Sequence, residues 1–274
     1  MDNESNVTYI TLGGHVEIYK YRYLYFLMTF LVYILIICCN FIVMYIIWSH
    51  QNLHEPMYIF IAALLMNSSL LSTAIYPKLL IDFLSDRQVI SYSACLFQFY
   101  IYYSVGGSEF LLLAAMSYDR YVSICKPLQY PTVMTKTTVS LLLFFTWLVP
   151  ACHIAIPTIL SADTKLCDFT VKAIFCNNAV YKLHCVRSKV ITIYGVFTLL
   201  DLAILPVLFI IFTYTKILII SYRSGREVRK KAAETCLPHM LVLISFSCLT
   251  AYDVSIARVQ SDFPNTVRLI MMVQ

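Results

Sequence analysis

An aspartate and an arginine stand side by side at Asp119 and Arg120, at the end of a long apolar stretch that opens near Cys95. A carboxylate and a guanidinium on adjacent residues neutralise each other in one state, and in another the guanidinium is freed for a different partner. The pair therefore has the chemistry of a switch. Its plainer reading is a helix end with one acid and one base at a membrane boundary. Further back in the same stretch lies Glu109, an intramembrane carboxylate that binds a cation, carries a proton, or stays protonated and hydrogen-bonded inside a bundle. Asn40, Asn67 and Ser68 are polar positions in the two preceding apolar stretches. Cys95, together with Cys167, Cys176 and Cys185 in the segment after the fourth stretch, forms an even set of thiols. Such a set on an oxidising side supports two bridges, with three possible pairings.

Other chemistries lack their residues. There is no glycine-rich phosphate loop, no His-Glu-x-x-His and no serine elbow, so the chain does not read as an enzyme. The histidines are scattered, and His153 sits in an apolar neighbourhood where a packed side chain is the usual outcome. His184 beside Cys185 raises a zinc reading, but no CxxC spacing supports it. No metal and no cofactor are expected.

The elements that carry these residues are set by composition. With 60% hydrophobic and only 13% charged residues, the chain has more apolar surface than one soluble core can hide. A helix needs about 20 apolar residues to cross about 30 Å of hydrocarbon, and such stretches run near 23–48, 57–80, 95–122, 138–160, 191–220 and 232–254. No alternating strand pattern appears, so an all-α membrane bundle beats a barrel. Residues 1–22 form a polar amino terminus, and 23–274 form one transmembrane domain. The polar start and the length of the first apolar run argue against a cleavable signal peptide. Lys and Arg divide almost evenly between the two sets of loops, so their count does not orient the chain. The acceptor triplets at Asn3 and Asn6 do, placing the amino terminus outside a multi-pass plasma-membrane protein. Asn67-Ser68-Ser69 also matches, but lies mid-helix. The basic cluster of residues 223–231 is attracted to anionic lipid, by about 1 kcal/mol per residue. With the other basic residues spread over many loops, nucleic acid is not an expected partner.

Helical spacing places Tyr102, Tyr103, Gly106 and Gly107 on one face of the third stretch. Two tyrosines over two glycines leave an aromatic-walled space for a small, partly apolar ligand. The competing reading is that the glycines permit close helix approach and the aromatics fill a core. Thr198, Asp201 and Leu202 of the fifth stretch, with Thr250 and Val254 of the sixth, are expected across the same cavity. Asp201 pairs there with a ligand amine, with Lys189, or with a neighbouring hydroxyl.

Three motifs carry a family resemblance. They are Met-Ser-Tyr-Asp-Arg-Tyr-Val-Ser-Ile-Cys-x-Pro-Leu-x-Tyr over 116–130, Leu-His-x-Pro-Met-Tyr over 53–58, and Lys-Ala-x-x-Thr-Cys-x-x-His over 231–239. With Asn40, Trp147, Pro206 and Tyr214 in order, the chain resembles odorant receptors, a branch of the rhodopsin-like G-protein-coupled receptors. The resemblance implies a seven-helix bundle, bridges Cys95 to Cys176 and Cys167 to Cys185, a small-molecule odorant, and a stimulatory G protein of the olfactory type. It also implies that Asp119, Arg120, Tyr121, Tyr214, Lys231 and His239 serve switching and coupling, with the sixth span moving outward to free Arg120.

Two features depart from the pattern. Asn67-Ser68 stands where the class keeps an aspartate, which puts the usual sodium pocket in doubt. After Pro264 only Asn265 to Gln274 remain, about 15 Å of helix, so the seventh span is expected to be truncated and to lack Asn-Pro-x-x-Tyr. A non-signalling fragment is thus an alternative, as is a receptor of the same fold for an endogenous amine or peptide. A transporter or channel subunit would show internal repeats or matched broken helices, and neither is found.

Overall fold

The computed structural model describes residues 8–14, 21–186, 188–223, 237, 240–248 and 250–251. Asn3, Asn6, Lys231, His239, Val254 and residues 265–274 lie outside the described residues. The long helices are α1 (Arg22–Ser49), α2 (Pro56–Leu84), α3 (Tyr92–Cys125), α5 (Lys136–Ala162), α6 (Lys189–Leu199) and α7 (Leu205–Arg223), with a short α4 (Tyr130–Val133) between α3 and α5. Residues 240–248 are also helical. Among the described residues four spans are long and apolar enough to cross a membrane: α1, α2, α5 and the run Lys189–Tyr222.

Helix starts follow their caps. Pro56 opens α2, where its missing N–H is harmless. The hydroxyls of Ser91, Thr135 and Ser188 accept from the amides of Ala94, Thr138 and Ile191 at the heads of α3, α5 and α6. These caps begin each helix up to a turn before its apolar run. The fifth span, read from sequence as one continuous helix, is interrupted. A π-helical turn over Leu200–Ile204 joins α6 to α7 directly before Pro206, whose missing N–H cannot continue the ordinary ladder.

The pattern of burial is reversed from that of a soluble protein. On α1, Leu35 and Phe41 are 63% and 59% exposed, while Asn67 on α2 and Ser117 and Asp119 on α3 are fully buried. Apolar side chains facing out and polar ones facing in suit a hydrocarbon surround. Helix α3 is central, packing against α2, α5 and α7. Phe60, Ala63, Leu112, Ala115, Met116 and Val139 join α2, α3 and α5. Phe110, Leu113, Ile210, Tyr214, Ile217 and Leu243 join α3, α7 and the 240–248 helix.

Strands, which the sequence reading did not anticipate, cover one end. A small sheet has the order β2-β1-β3, with β1 Tyr9–Leu12 antiparallel to β2 Val89–Ser91 and parallel to β3 Thr170–Val171. Ile10 and Leu12 point into a core with Ile90, Leu96, Val171 and Leu183. A Cβ on Gly14 would fall 2.5 Å from the Ala173 carbonyl carbon, so only glycine lets the chain approach there.

Candidate functional site

At the end of α3 away from the sheet, the Arg120 Nε donates to Asp119 Oδ2 at 2.8 Å, and its Nη2 donates to the same oxygen. Tyr130, the first residue of α4, donates its phenol to Asp119 Oδ1 at 2.9 Å. Both carboxylate oxygens of a fully buried acid are thereby engaged, and the guanidinium is only 13% exposed. Burial, then the Asp119 carboxylate, push the Tyr130 phenol above its ordinary range, so it stays a donor. Tyr214 lies in the buried cluster beside this end, and Tyr121 packs against that cluster. The arrangement is a non-covalent lock, in which a neighbouring guanidinium and a phenol from the next loop close on one carboxylate.

Midway along the bundle a second polar group ties four helices. Asn67 Nδ2 donates to Glu109 Oε2 at 2.6 Å and to the Val105 carbonyl at 3.0 Å. Trp147 Nε1 on α5 donates to Asn67 Oδ1 at 3.3 Å. Asn40 on α1 donates to Ser69 Oγ at 3.1 Å, two residues further along α2. Ser68 is half-buried beside them. Asn67 thus stands where an aspartate would repel Glu109, and the amide instead donates to that carboxyl group.

Towards the sheet, Tyr102 packs on Phe175 with ring centres 4.8 Å apart, and Tyr103 packs on Phe99 at 4.7 Å. The Tyr103 hydroxyl accepts from the Asn178 amide at 3.1 Å, tying α3 to the covering loop. The two glycines below them differ. A Cβ on Gly107 would meet Pro150 at 3.0 Å and Leu202 at 3.1 Å, a close-approach position, whereas a Cβ on Gly106 would have, among the described residues, the Phe246 ring nearby at 3.9 Å. The hydroxyls of Ser104, Thr198 and Ser247 are buried without a hydrogen-bond partner among the described residues. Thr250 donates to its own helix at the Phe246 carbonyl.

Asp201 does not join the tyrosines. It faces His153 Nε2 at 3.5 Å and borders a crevice between α3, α5 and α7. His153, read from sequence as an ordinary packed side chain, is therefore the partner of that carboxylate. The two residues lie on different helices 48 positions apart, and Asp201 sits within the π-turn over Leu200–Ile204, so the sequence carried no local signal of the contact.

The comparisons with known proteins decide the family. The family model described as "Olfactory receptor" matches residues 29–274. The chain belongs to the olfactory receptor family. It is 33% identical to Olfactory receptor 6E1 of Mus musculus over 92% of this chain and 82% of that protein. It is 30% identical to Olfactory receptor 4K3 of Homo sapiens over 89% and 78% of the two chains, and 30% identical to the Olfactory receptor-like protein OLF4 of Canis lupus familiaris over 99% and 89%. This family comprises multi-pass G-protein-coupled receptors and not enzymes.

In this olfactory receptor family member the covering loop is stapled twice. Cys95 is bonded to Cys176 and Cys167 to Cys185, with Cα separations of 5.4 and 4.8 Å. Between the bridges, Gln98 on α3 donates to the Ala74 carbonyl of α2 and accepts from the Cys176 amide. Tyr92 donates to the Ser161 carbonyl at 2.8 Å, and His184 Nε2 lies 3.1 Å from the same phenol oxygen. One phenol proton cannot serve both, so His184 Nε2–H is the donor to Tyr92. Burial lowers the His184 pKa, which keeps the ring neutral. Among the described residues no three of His, Cys, Asp and Glu gather as metal ligands. Tyr130 was visible only as the last letter of a motif, and the four residues of β1 are too few to stand out as an alternating pattern.

Proposed function

We propose that the chain is an odorant receptor with a rhodopsin-like seven-helix bundle, to which residues 265–274 contribute part of the seventh helix. The amino terminus and the disulfide-stapled loop lie outside the cell, with Asn3 and Asn6 as glycan acceptors. A small odorant lodges beneath that loop, against Tyr102, Tyr103 and Gly106 of α3, Thr198 and Leu202 of the fifth span, and Thr250 and Val254 of the sixth. The Thr198 hydroxyl, buried and without a hydrogen-bond partner among the described residues, supplies a polar contact there. Gly107 serves by letting α5 and the fifth span close on α3. At the opposite end the receptor engages a heterotrimeric G protein of the stimulatory olfactory type, through Arg120, Tyr121, Tyr214, Lys231 and His239, with membrane lipid around it.

The observation that carries this reading is the Asp119–Arg120–Tyr130 lock. A buried pair closed by a third residue from the next loop has two states, and a ligand that binds one of them better shifts the balance. Odorant-evoked cAMP in cells displaying the receptor tests it. Replacing Arg120 with Ala should remove the response while leaving surface receptor within about twofold of wild type. An undiminished response from Arg120→Ala would end the proposal.

A further inference from the structure

A second site lies on the outside of the bundle. Below the contact of α5 with α6, helices α5 and α7 border a crevice of about 410 Å³ floored by Ala114 and Ala115 of α3. That volume is within the range of small-molecule sites. Its rims are Phe145 and Phe209, 50% and 40% exposed, so it opens towards the surrounding hydrocarbon and not towards the interior. The walls are apolar apart from Tyr118, Thr146 and Asp201, and the Thr146 hydroxyl is already spent on the Leu143 carbonyl at 2.8 Å.

Asp201 is the anomaly. Its side chain is 37% exposed at mid-helix depth, with an imidazole nitrogen 3.5 Å away. A carboxylate accepts on two oxygens with about four lone-pair sites, and the one long contact it makes among the described residues leaves most of that capacity unmet there, in a surround where an unpaired acid costs about 3 kcal/mol. The remaining need is for a donor, and a cation meets it best. A ligand arriving there comes through the hydrocarbon and must carry its own apolar part.

We infer that this crevice binds a single-chain amphiphile with an amine head, the ammonium on Asp201 and the chain lying along Ala114 and Ala115 between Phe145 and Phe209. The crevice opens away from the bundle interior and shares the Leu202 side chain with the proposed odorant cavity as a common wall. Its inner end is Tyr118, the neighbour of Asp119 in sequence. An occupant holds α5 and α7 apart beside the lock, and so biases its opening from the membrane side.

The test uses the full chain in cell membranes with two photoreactive probes, a diazirine-bearing dodecylamine and the matching dodecanol, and maps the labelled peptides. The amine should label the Leu142–Val149 and Phe209 regions about tenfold more than the alcohol, and Asp201→Asn should remove that difference, equivalent to about 1.4 kcal/mol. Val149→Trp, which fills the crevice from its open side and leaves Asp201 in place, should abolish labelling even if Asp201→Asn fails to reach the surface. Equal labelling by amine and alcohol, labelling of Asp201→Asn at the wild-type level, or labelling confined to the Tyr102 and Phe175 region would each overturn the inference.

Discussion

The two ends of the bundle are held by different kinds of bond. At one end two disulfides, a three-stranded sheet and a buried core of Ile10, Leu12, Val171 and Leu183 fix the covering loop. At the other, one carboxylate accepts from a neighbouring guanidinium and a phenol, with no covalent link. The first end is tied covalently and the second by hydrogen bonds alone. On the proposed reading the first keeps one shape and the second has two, so that a ligand under the fixed end shifts the balance at the labile end.

Breaking the staples gives the largest effect. The Cys95–Cys176 bridge closes a separation of 81 residues and Cys167–Cys185 one of 18, corresponding to about 4.5 and about 3 kcal/mol of loop entropy. Inserted helices already limit the reach of the open chain, so these are upper values. Cys95→Ser should leave almost no receptor at the surface by flow cytometry, and Cys167→Ser should leave a reduced but measurable amount. Equal surface levels of Cys95→Ser and wild type would show that the sheet and its core suffice without the bridge.

Loosening the labile end should act on signalling before stability. Tyr130→Phe removes one hydrogen bond to Asp119, about 1 kcal/mol, which shifts the closed-to-open ratio about fivefold. Unstimulated cAMP should rise accordingly while surface expression is kept. Asp119→Asn, which removes the charge facing Arg120, should raise it further. If both variants leave basal cAMP unchanged, the lock does not hold the resting state.

The same contrast explains what the sequence could and could not disclose. Four of the spans were legible because hydrocarbon demands long apolar runs, and the Asp119-Arg120 pair stood out because charge is rare beside them. Helix ends were misplaced where Ser91, Thr135 and Ser188 cap beyond the apolar edge. The sheet escaped because strands of two to four residues carry little periodicity. The placement of Asp201 escaped for a different reason. Helical spacing assumes 3.6 residues per turn, and the π-turn over Leu200–Ile204 breaks that spacing, so residues expected on one face separate. Gly107 illustrates a further limit, since a glycine that opens space and one that admits a neighbour look alike until Pro150 and Leu202 are found against it.

The smallest effect sharpens the comparison from the fixed end. His184 is buried and neutral there, donating to Tyr92, with the Tyr181 ring 5.9 Å from its own. Burial lowers its folded pKa below the unfolded value of about 6.5. Between those two values the unfolded loop binds a proton that the folded loop does not, so stability falls as pH drops through about 6.5 and stays low beneath the folded pKa. Above that window the full stability is present. Protease cleavage of the covering loop on displayed receptor should therefore be slightly faster at about pH 5 than at about pH 7.5, and His184→Gln should flatten the difference. With both bridges intact the change should be well short of that in Cys167→Ser. An acid effect as large as the loss of a bridge would mean that the fixed end is itself a switch, and the division of labour between the two ends would not hold.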